Sequence, residues 1–346
     1  MRTAAVVGTG LIGSSIGIAL RTQGWTVSGW DPDPMHREGA LSVGAVDHTT
    51  DAIDGALLDA ELVVLAGPTD ATLETLRRLD TEALVIDVAG VKAPIVSAGA
   101  ALAHFVGTHP MAGSESSGPA AASGSLFRGA SWVVVSDGAS ETDLATVSDI
   151  IGSLGATPVV MTAAEHDSAV ALASHLPHLT AGALVDAVAS SPAALALAAG
   201  GFRDLTRVAM SQADWWPDVL HENREAVIEV VRALAGRLEE VVADLESGER
   251  SLLRDRLAAS AAVRRSMAAP VATVRLVLED RPGQMALVGA ALSASGVDLR
   301  DLQLRHAVHG GGGVLTLSVR PDEAVALEEA LRMQGFQLLD RAGEST

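Results

Sequence analysis

Apolar residues in the first 160 positions of the chain fall into short continuous runs, separated by polar or glycine-containing segments. Runs of this kind predict strands that are buried on both faces, as in a parallel sheet. Several are followed by apolar residues at helical spacing, so strand and helix alternate. We therefore expect an α/β fold with a Rossmann-like domain over residues 1–162. The predicted strands cover residues 2–7, 25–31, 62–68, 84–92, 131–136 and 157–161, and the last two extend the same sheet.

Two further domains follow. From residue 163 to 245 strand signals largely stop and helical periodicity takes over, which predicts an all-helical domain over residues 163–268. Within it, residues 214–245 form one long helix or two abutting helices. A new pattern begins after Pro270 and predicts a βαββαβ domain over residues 270–346. Its elements are a strand at 272–278, a helix at 283–295, strands at 299–306 and 314–319 around a glycine-rich hairpin, a helix at 321–334 and a final strand.

A glycine-rich motif, GTGLIG, stands between the first strand and the first helix. Gly8 permits the tight turn, Gly10 lets the backbone approach a phosphate, and Gly13 lets the helix pack on the strand. The helix N-terminus supplies unpaired N–H groups for a pyrophosphate. A glycine-rich hairpin without a ligand is the less favoured alternative, because strand, turn and helix occur in the order that a dinucleotide site requires. The predicted cofactor-binding residues are Gly8, Thr9, Gly10, Leu11, Ile12, Gly13 and Asp31.

Asp31 indicates which dinucleotide binds. It follows Gly13 by 18 residues and ends the second predicted strand. A carboxylate there binds the ribose hydroxyls of adenosine and repels a 2′-phosphate, so NAD is favoured over NADP. His36 and Arg37 follow closely, and their positive charge leaves room for some use of NADP.

The segment VGTHPMAGSESSG, residues 106–118, predicts a strand end that passes into an irregular loop. In α/β folds this edge of the sheet is where ligands bind. His109 lies there, and histidine is the side chain whose ordinary pKa lets it exchange a proton near neutral pH. A lone histidine capping a turn would be the simpler interpretation, but further histidines follow in the helical domain.

Those histidines are His166, His175 and His178, with Pro177 between the last two. A proline in a helical pattern predicts a kink or a new helix start, which turns His175 and His178 inward. Two histidines three residues apart could also bind a metal ion, but no HExxH motif or clear third ligand accompanies them, and we predict no metal site. For either histidine alone, burial in the core with a satisfied hydrogen bond is the alternative.

Two arginines, Arg203 and Arg207, are four residues apart and share a face if the segment is helical. Guanidinium groups bind carboxylates through two parallel hydrogen bonds, so the pair suits an anionic substrate in an otherwise acidic chain. A solvated surface helix is the alternative. The amphipathic helices that follow suggest a homodimer, by analogy with other proteins in which such helices follow a nucleotide domain.

Composition narrows the function classes. The formal net charge of −19 disfavours nucleic acid as a partner, since no concentrated basic stripe offsets repulsion by phosphates. The chain has no cysteine, which excludes disulfides and thiolate chemistry. No apolar run approaches the roughly 20 residues that span a bilayer, and the glycine spacing of the N-terminus differs from that of a signal sequence. We expect a cytoplasmic protein that does not associate with membranes.

Five motifs occur in a specific order: GTGLIG, DVAGVK, GTHPMAGSESSG, SHLPH and FRDLTRVA. In this order they resemble the prephenate/arogenate dehydrogenase family of tyrosine biosynthesis, over about residues 2–245. The resemblance implies NAD-dependent oxidative decarboxylation of prephenate to 4-hydroxyphenylpyruvate. It also implies that His109 is catalytic and hydrogen-bonds the ring 4-hydroxyl, and that Arg207 binds a substrate carboxylate. One of His175 and His178 contacts the side-chain end of the substrate, His178 being favoured. Lys92 and Ser117 would be secondary substrate contacts.

The chain departs from the family pattern at one position. Family members usually carry a serine before Val-Lys of the DVAGVK motif, and its hydroxyl helps to orient the catalytic histidine. Here the residue is Gly90. Loss of such a hydrogen bond would cost about 1 kcal/mol or more of transition-state stabilisation, unless water or Ser114 takes its place.

The βαββαβ pattern of residues 270–346 resembles the ACT domain, a small regulatory module that often binds amino acids. Residues Asp280, Arg281, Pro282 and Gly283 match its ligand-binding turn, where a helix N-terminus can hold a carboxylate. The resemblance implies feedback by tyrosine or another aromatic amino acid.

Three other functions remain open at this point. An arogenate dehydrogenase would take the amino-substituted substrate at the same site. A sensor of NAD or amino acids that has lost catalysis is a second alternative, which Gly90 favours and the presence of His109 and Arg207 disfavours. A 3-hydroxyacid dehydrogenase of similar fold would need a catalytic lysine on its central helix, and residues 163–244 contain no lysine.

Overall fold

The fold is taken from a computed structural model, which describes residues 2–113, 116–210, 216–267, 272–306 and 312–339. The chain divides into two compact units, Met1–Leu238 and Glu239–Thr346. The first unit therefore contains the predicted nucleotide domain together with most of the predicted helical domain. The predicted boundary near residue 268 lies within the second unit.

A parallel six-stranded sheet forms the centre of the first unit. Its order is β3-β2-β1-β4-β5-β6, and all neighbouring strands are parallel, so the chain reverses its direction of winding between β1 and β4. The predicted Rossmann-like domain is confirmed. Its elements are β1 (Thr3–Val7), α1 (Leu11–Thr22), β2 (Thr26–Trp30), α2 (Pro34–Ser42), β3 (His48–Thr49), α3 (Ile53–Leu57), β4 (Leu62–Leu65), α4 (Thr69–Arg78), β5 (Leu84–Asp87), α5 (Ala93–Gly99) and β6 (Phe105–Val106).

A separate three-stranded sheet follows, made of β7 (Thr108–Pro110), β8 (Ser131–Val135) and β9 (Thr157–Met161), with α6 (Glu141–Ser153) before β9. The prediction that the last two strands extend the parallel sheet was therefore wrong. The chain leaves β6 after two residues, and β7 then pairs antiparallel with β8 while β8 and β9 are parallel. This second sheet carries His109 in β7.

Helices make up the rest of the first unit, which confirms the predicted helical domain. Thr162 and Glu165 form a reciprocal capping box that starts the first of these helices. Pro177 lies in the first turn of the second helix, where its missing N–H is tolerated, and a π-helical turn at Ala171–His175 joins the two helices. The elements are α7 (Ala163–Val170), α8 (Leu176–Ala189), α9 (Pro192–Leu197), α10 (Gly200–Thr206), a 3-10 turn (Arg207–Met210), α11 (Trp216–Glu222) and α12 (Arg224–Ser247), which runs into the second unit.

The second unit contains a four-stranded antiparallel sheet of order β11-β12-β10-β13. Alternate residues of its central strands, such as Leu276, Leu315 and Leu317, are fully buried against the helices. The predicted hairpin at 307–311 lies outside the described residues. The elements are α13 (Arg250–Ser266), β10 (Ala272–Leu278), α14 (Gln284–Ser295), β11 (Asp301–His306), β12 (Gly313–Val319), α15 (Ala324–Met333) and β13 (Leu338–Leu339).

Substitution of Phe127 tests how much the core beneath the second sheet contributes to stability. Its side chain is fully buried and its ring centroid lies 4.8 Å from that of Trp132 on β8. We expect Phe127→Ala to lower the free energy of unfolding by about 3–5 kcal/mol, because it removes a buried ring and leaves a cavity. Urea unfolding followed by tryptophan fluorescence measures this. Leu58→Ala, at a leucine that is 75% exposed, is the control and should change stability by less than about 0.5 kcal/mol.

Candidate active site

The glycine turn between β1 and α1 is shaped for a dinucleotide. Gly8 has a φ of +98°, and a Cβ there would lie 2.6 Å from the carbonyl carbon of Ala66. A Cβ on Gly13 would lie 1.9 Å from the carbonyl oxygen of Gly8. Open space faces Gly10, at the N-cap of α1. Only glycine fits the two crowded positions, and the open one leaves the helix N-terminus accessible to a phosphate.

Asp31 lies at the end of β2 beside this turn and is buried. Its carboxylate accepts hydrogen bonds from the backbone N–H of Thr9 (2.8 Å) and of Asp33 (3.0 Å). Asp31 and Asp33 line a cleft of about 620 Å³ at the carboxyl ends of β1, β2 and β4. Thr9 stands between Gly8 and Gly10, which line the same cleft. The hydroxyl of Thr9 is buried and has no hydrogen-bond partner among the described residues. The unpartnered hydroxyl of Thr9, beside a glycine turn and the carboxylate of Asp31, fits the binding of NAD.

The two basic residues near Asp31, His36 and Arg37, differ in their surroundings. His36 lies in the cleft with Nδ1 3.4 Å from a carboxylate oxygen of Asp31. Arg37 instead donates to the backbone carbonyl of Asp31 (2.6 Å) and lies 3.5 Å from the carboxylate of Asp51. Because the guanidinium of Arg37 is engaged within the protein, it is a weaker candidate than His36 for a 2′-phosphate.

His109 is half-buried on β7 and is the first member of a hydrogen-bonded chain. Its Nδ1 lies 2.9 Å from Nε2 of His166, whose Nδ1 lies 2.7 Å from the carboxylate of Asp167. That carboxylate also accepts from the backbone N–H of Lys92 (2.7 Å) and of Ala93 (2.8 Å). The N-terminal part of α7 is thereby joined to the loop that follows β5.

The hydrogen-bond chain fixes the tautomers. A carboxylate only accepts, so Nδ1 of His166 donates to Asp167. In a neutral imidazole the other nitrogen then accepts, so Nε2 of His166 takes the Nδ1–H of His109. The lone pair of His109 is therefore on Nε2. This atom faces the site of Gly90, where a Cβ would lie 3.9 Å away.

The electrostatic surroundings keep His109 neutral. Burial lowers the pKa of His109 well below its usual value, and the nearby charge of Lys92 lowers it further, followed by His166 and His175. A neutral imidazole with a lone pair on Nε2 is a hydrogen-bond and proton acceptor at neutral pH.

Lys92 does not have the place expected for a substrate contact. Its side chain is fully buried, and its ammonium contacts the carboxylate of Asp87 and donates to the carbonyl oxygen of Thr108 (2.7 Å). A group enclosed in this way does not reach a ligand, so the expectation of direct substrate contact is corrected.

His175 and His178 follow the π-helical turn and have different surroundings. His175 is buried, and its Nδ1 lies 3.3 Å from the side-chain amide of Asn223, which also donates to the backbone carbonyl of Asp167 (2.8 Å). His178 is half-buried and stacks on Trp216 at a ring separation of 3.9 Å. The Nδ1 of His178 is buried without a hydrogen-bond partner among the described residues. Burial lowers the pKa of both histidines.

The remaining predicted site residues are more exposed. Arg207 begins the 3-10 turn after α10, and the next residue, Val208, forms a backbone hydrogen bond with His178. This contact brings Arg207 to the end of α8 that carries His178. Ser117 is exposed in the loop after β7, and Ser114 lies outside the described residues.

Sequence reasoning missed four residues of this site: His166, Asp167, Asn223 and Trp216. His166 was noted as a histidine without a role, although its place next to an aspartate at the start of a helix was a usable signal. Asn223 and Trp216 gave no signal, because they lie 48 and 38 residues from His175 and His178, which they contact. Among the described residues, no group of three or more histidine and acidic side chains is arranged to hold a metal ion.

Two sequence models of one family match this chain. The model described as prephenate dehydrogenase, nucleotide-binding domain, matches residues 16–160. The model described as prephenate dehydrogenase, dimerization domain, matches residues 162–259. Together they cover most of the Rossmann-like domain, from residue 16 onward, and the helices that carry the site.

Individual relatives agree with the family models. The chain is 32% identical to the prephenate dehydrogenase of Lactococcus lactis subsp. cremoris, over 70% of each chain. Among solved structures, that of Aquifex aeolicus prephenate dehydrogenase in complex with hydroxyphenyl propionate and NAD+ is 27% identical, with a TM-score of 0.73 over 78% of this chain and 99% of that one. That of Synechocystis arogenate dehydrogenase is 27% identical, with a TM-score of 0.70 over 78% of this chain and 100% of that one. The chain therefore belongs to the prephenate dehydrogenase family and is an NAD-dependent oxidoreductase.

Proposed function

We propose that this chain converts prephenate to 4-hydroxyphenylpyruvate and CO2 with NAD as oxidant, in the biosynthesis of tyrosine. The observation that carries the proposal is the lone pair on Nε2 of His109, held in place by His166 and Asp167. Oxidation of a ring alcohol needs such an acceptor, because the hydroxyl proton must leave as the carbonyl forms.

His109 supplies the proton transfer of this reaction. Its Nε2 accepts the proton of the ring 4-hydroxyl, while its Nδ1–H stays bonded to His166. NAD, held at Gly8, Gly13 and Asp31, would supply the acceptor for the hydride that leaves the ring carbon bearing this hydroxyl. The carboxylate of Asp167 stabilises the positive charge that develops on the two imidazoles. Loss of CO2 then makes the ring aromatic, which drives the reaction forward.

Arg207 and the histidines of the π-helical region hold the substrate in this proposal. Arg207 is exposed and close to His178, so its guanidinium can bind a carboxylate that enters from solvent. The unpartnered Nδ1 of His178 is suited to hydrogen-bond the side-chain end of the substrate. His175 is more deeply buried and supports the site through Asn223. Ser117, exposed in the loop after β7, is a secondary contact.

Arogenate is the alternative substrate. The solved arogenate dehydrogenase resembles this chain as closely as the prephenate dehydrogenase does, with TM-scores of 0.70 and 0.73. The two substrates share the ring alcohol and the ring carboxylate, so the chemistry of His109 is the same for both.

Absorbance of NADH tests the proposed function directly. With NAD as cofactor, we expect a higher kcat/KM for prephenate than for arogenate. For either substrate, we expect a higher kcat/KM with NAD than with NADP. Preference for arogenate would move the assignment to arogenate dehydrogenase. Binding of NAD without turnover of either substrate would contradict the proposal and favour a sensor.

Substitution of His109 tests the acceptor. We expect His109→Asn to lower kcat by about 10²–10⁴-fold, because the amide cannot take a proton, while the Kd of NAD is unchanged. Stopped-flow or steady-state NADH formation gives kcat, and fluorescence titration gives the Kd. His104→Asn is the matched control, since the side chain of His104 is 47% exposed and its Nδ1 lies 3.1 Å from the carboxylate of Asp143. Full activity of His109→Asn would remove the proposal.

We also propose that the protein is a cytoplasmic homodimer. The match to a dimerization domain supports the dimer. The helical stretch Ala163–Ala189 is long and apolar enough, by length and composition, to cross a membrane, and only 22% of its most apolar window is buried. This stretch carries His166, His175 and His178. A second copy of the chain that covers its apolar face would explain why the stretch is both apolar and little buried.

We propose that residues 270–346 form an ACT-like regulatory domain. The order βαββαβ and the strand order β11-β12-β10-β13 support this. A cavity of about 200 Å³ is lined by Asp280, Arg281 and Gly283, at the N-terminus of α14, together with Glu279, Gln284 and apolar side chains. Gly283 has a φ of +91°, which other residues rarely adopt. Pro282 lies in the same turn, and this turn is the proposed effector site.

Calorimetric titration tests the regulatory proposal. We expect L-tyrosine or another aromatic L-amino acid to bind the full-length protein, with its carboxylate at the N–H groups that begin α14. The D-enantiomer is the matched control and should bind at least about tenfold more weakly, because its ammonium and side chain exchange places. Absence of heat with every aromatic L-amino acid would rule out this effector class.

A further inference from the structure

Lys92 is the only lysine of the chain; the other 23 of its 24 basic side chains are arginines. It is also fully buried. A lysine ammonium is compact and carries three donors, whereas guanidinium is a planar fork that needs more room. A buried position that holds a lysine in a chain otherwise built with arginine therefore calls for the small ammonium group.

The ammonium of Lys92 holds the peptide that precedes His109. It donates to the carbonyl oxygen of Thr108 (2.7 Å) and contacts the carboxylate of Asp87. That carboxylate in turn accepts from the backbone N–H of Thr108 (2.9 Å), and the hydroxyl of Thr108 donates to the backbone carbonyl of Asp87. The N–H, the carbonyl and the side chain of Thr108 are therefore all bound to one buried pair.

The backbone N–H of Lys92 is linked to the ring of His109 through Asp167 and His166. This N–H donates to the carboxylate of Asp167, which accepts from His166, the partner of His109. One residue thus connects to both the main chain before His109 and the hydrogen-bond chain behind its ring.

We propose that Lys92 is a positioning residue, which through Thr108 and Asp167 fixes the place of the His109 imidazole. The proposal rests on the proposed function, because it concerns the acceptor of that reaction. Asp87 is the counter-ion that makes the burial of the ammonium tolerable, since an unpaired buried charge is strongly unfavourable.

The charge of Lys92 also bears on the pH dependence. Among the described residues, the titratable groups that face His109 or its partners are Lys92, Asp87, His166, Asp167 and His175. After burial, the repulsion by Lys92 is the largest cause that lowers the pKa of His109. Activity requires neutral His109, so it is lost as the pH falls through this pKa. Removal of the ammonium raises the pKa and moves the acidic limb of kcat/KM to higher pH.

Paired substitution is the main test. Lys92→Met alone would leave the Asp87 carboxylate buried and unpaired, so the double variant Asp87→Asn/Lys92→Met removes both charges. We expect kcat to fall by about 100-fold, as for a catalytic group displaced by about 1 Å, with KM for prephenate changed by less than about threefold. The acidic limb moves to higher pH. Thr108→Val is the matched control: it removes the hydroxyl beside the pair and keeps both charges, so the limb stays near its original pH even if kcat falls.

Nuclear magnetic resonance gives a readout that does not need turnover. The imidazole signals of His109, assigned with His109→Asn, are expected to titrate at higher pH in the double variant than in the parent. With 15N-labelled lysine the parent protein gives a single side-chain signal, which we expect to exchange slowly with solvent because the ammonium is enclosed. This measurement on the unmodified protein holds even if the double variant fails to fold by circular dichroism.

Several results would overturn the proposal. They are an unchanged kcat and acidic limb in the double variant, an unchanged titration of His109, or a lysine signal that exchanges rapidly in the parent. Failure of the parent protein to oxidise prephenate or arogenate would instead contradict the proposed function, and the titrations would still decide the role of Lys92.

Discussion

The carboxylate of Asp167 is the interaction on which the site depends. It accepts two backbone N–H groups from the loop after β5 and the Nδ1–H of His166 from its own helix. The first pair joins the helical region to the edge of the parallel sheet. The third bond determines which nitrogen of His109 carries the lone pair. The same carboxylate therefore anchors the loop after β5 and sets the tautomer of His109, and an apolar side chain in its place would do neither.

The site also shows how a strongly acidic chain maintains a proton acceptor. The net charge of −19 would favour protonated histidines if it acted uniformly. Around His109, however, burial and one ammonium outweigh that long-range field, because charges at a few ångströms in a protein interior interact more strongly than screened surface charges. The carboxylates nearest to the imidazole are already engaged, Asp87 with Lys92 and Asp167 with backbone N–H groups. They contribute geometry to the site and leave His109 neutral.

Local patterns predicted the parts of the fold that depend on local geometry. The turn at Gly8, the helix that follows it and the strand β10 were all expected near their observed bounds, because glycine spacing and alternation report on neighbouring residues. The second sheet was not expected, since the pairing of β7 with β8 joins residues more than 20 positions apart and leaves no local trace. Lys92 was misjudged for a related reason. A lysine in a loop after a strand suggests exposure, and only its contact with Thr108, 16 residues away, reveals that it is buried.

Gly90 provides no side-chain hydrogen bond to His109, yet the imidazole of His109 keeps a defined orientation. A serine at this position would place a hydroxyl near Nε2 of His109, since its Cβ would lie 3.9 Å from both Nε2 and Cε1 of that ring. In this chain the space is open, and the ring is held from the opposite side through Nδ1. One strong hydrogen bond and a fixed main chain are enough to define an imidazole, whose only freedom is rotation about two bonds. The open space beside Nε2 leaves the lone pair accessible to the substrate hydroxyl, so here the hydrogen-bond chain behind the ring sets the direction in which that lone pair points.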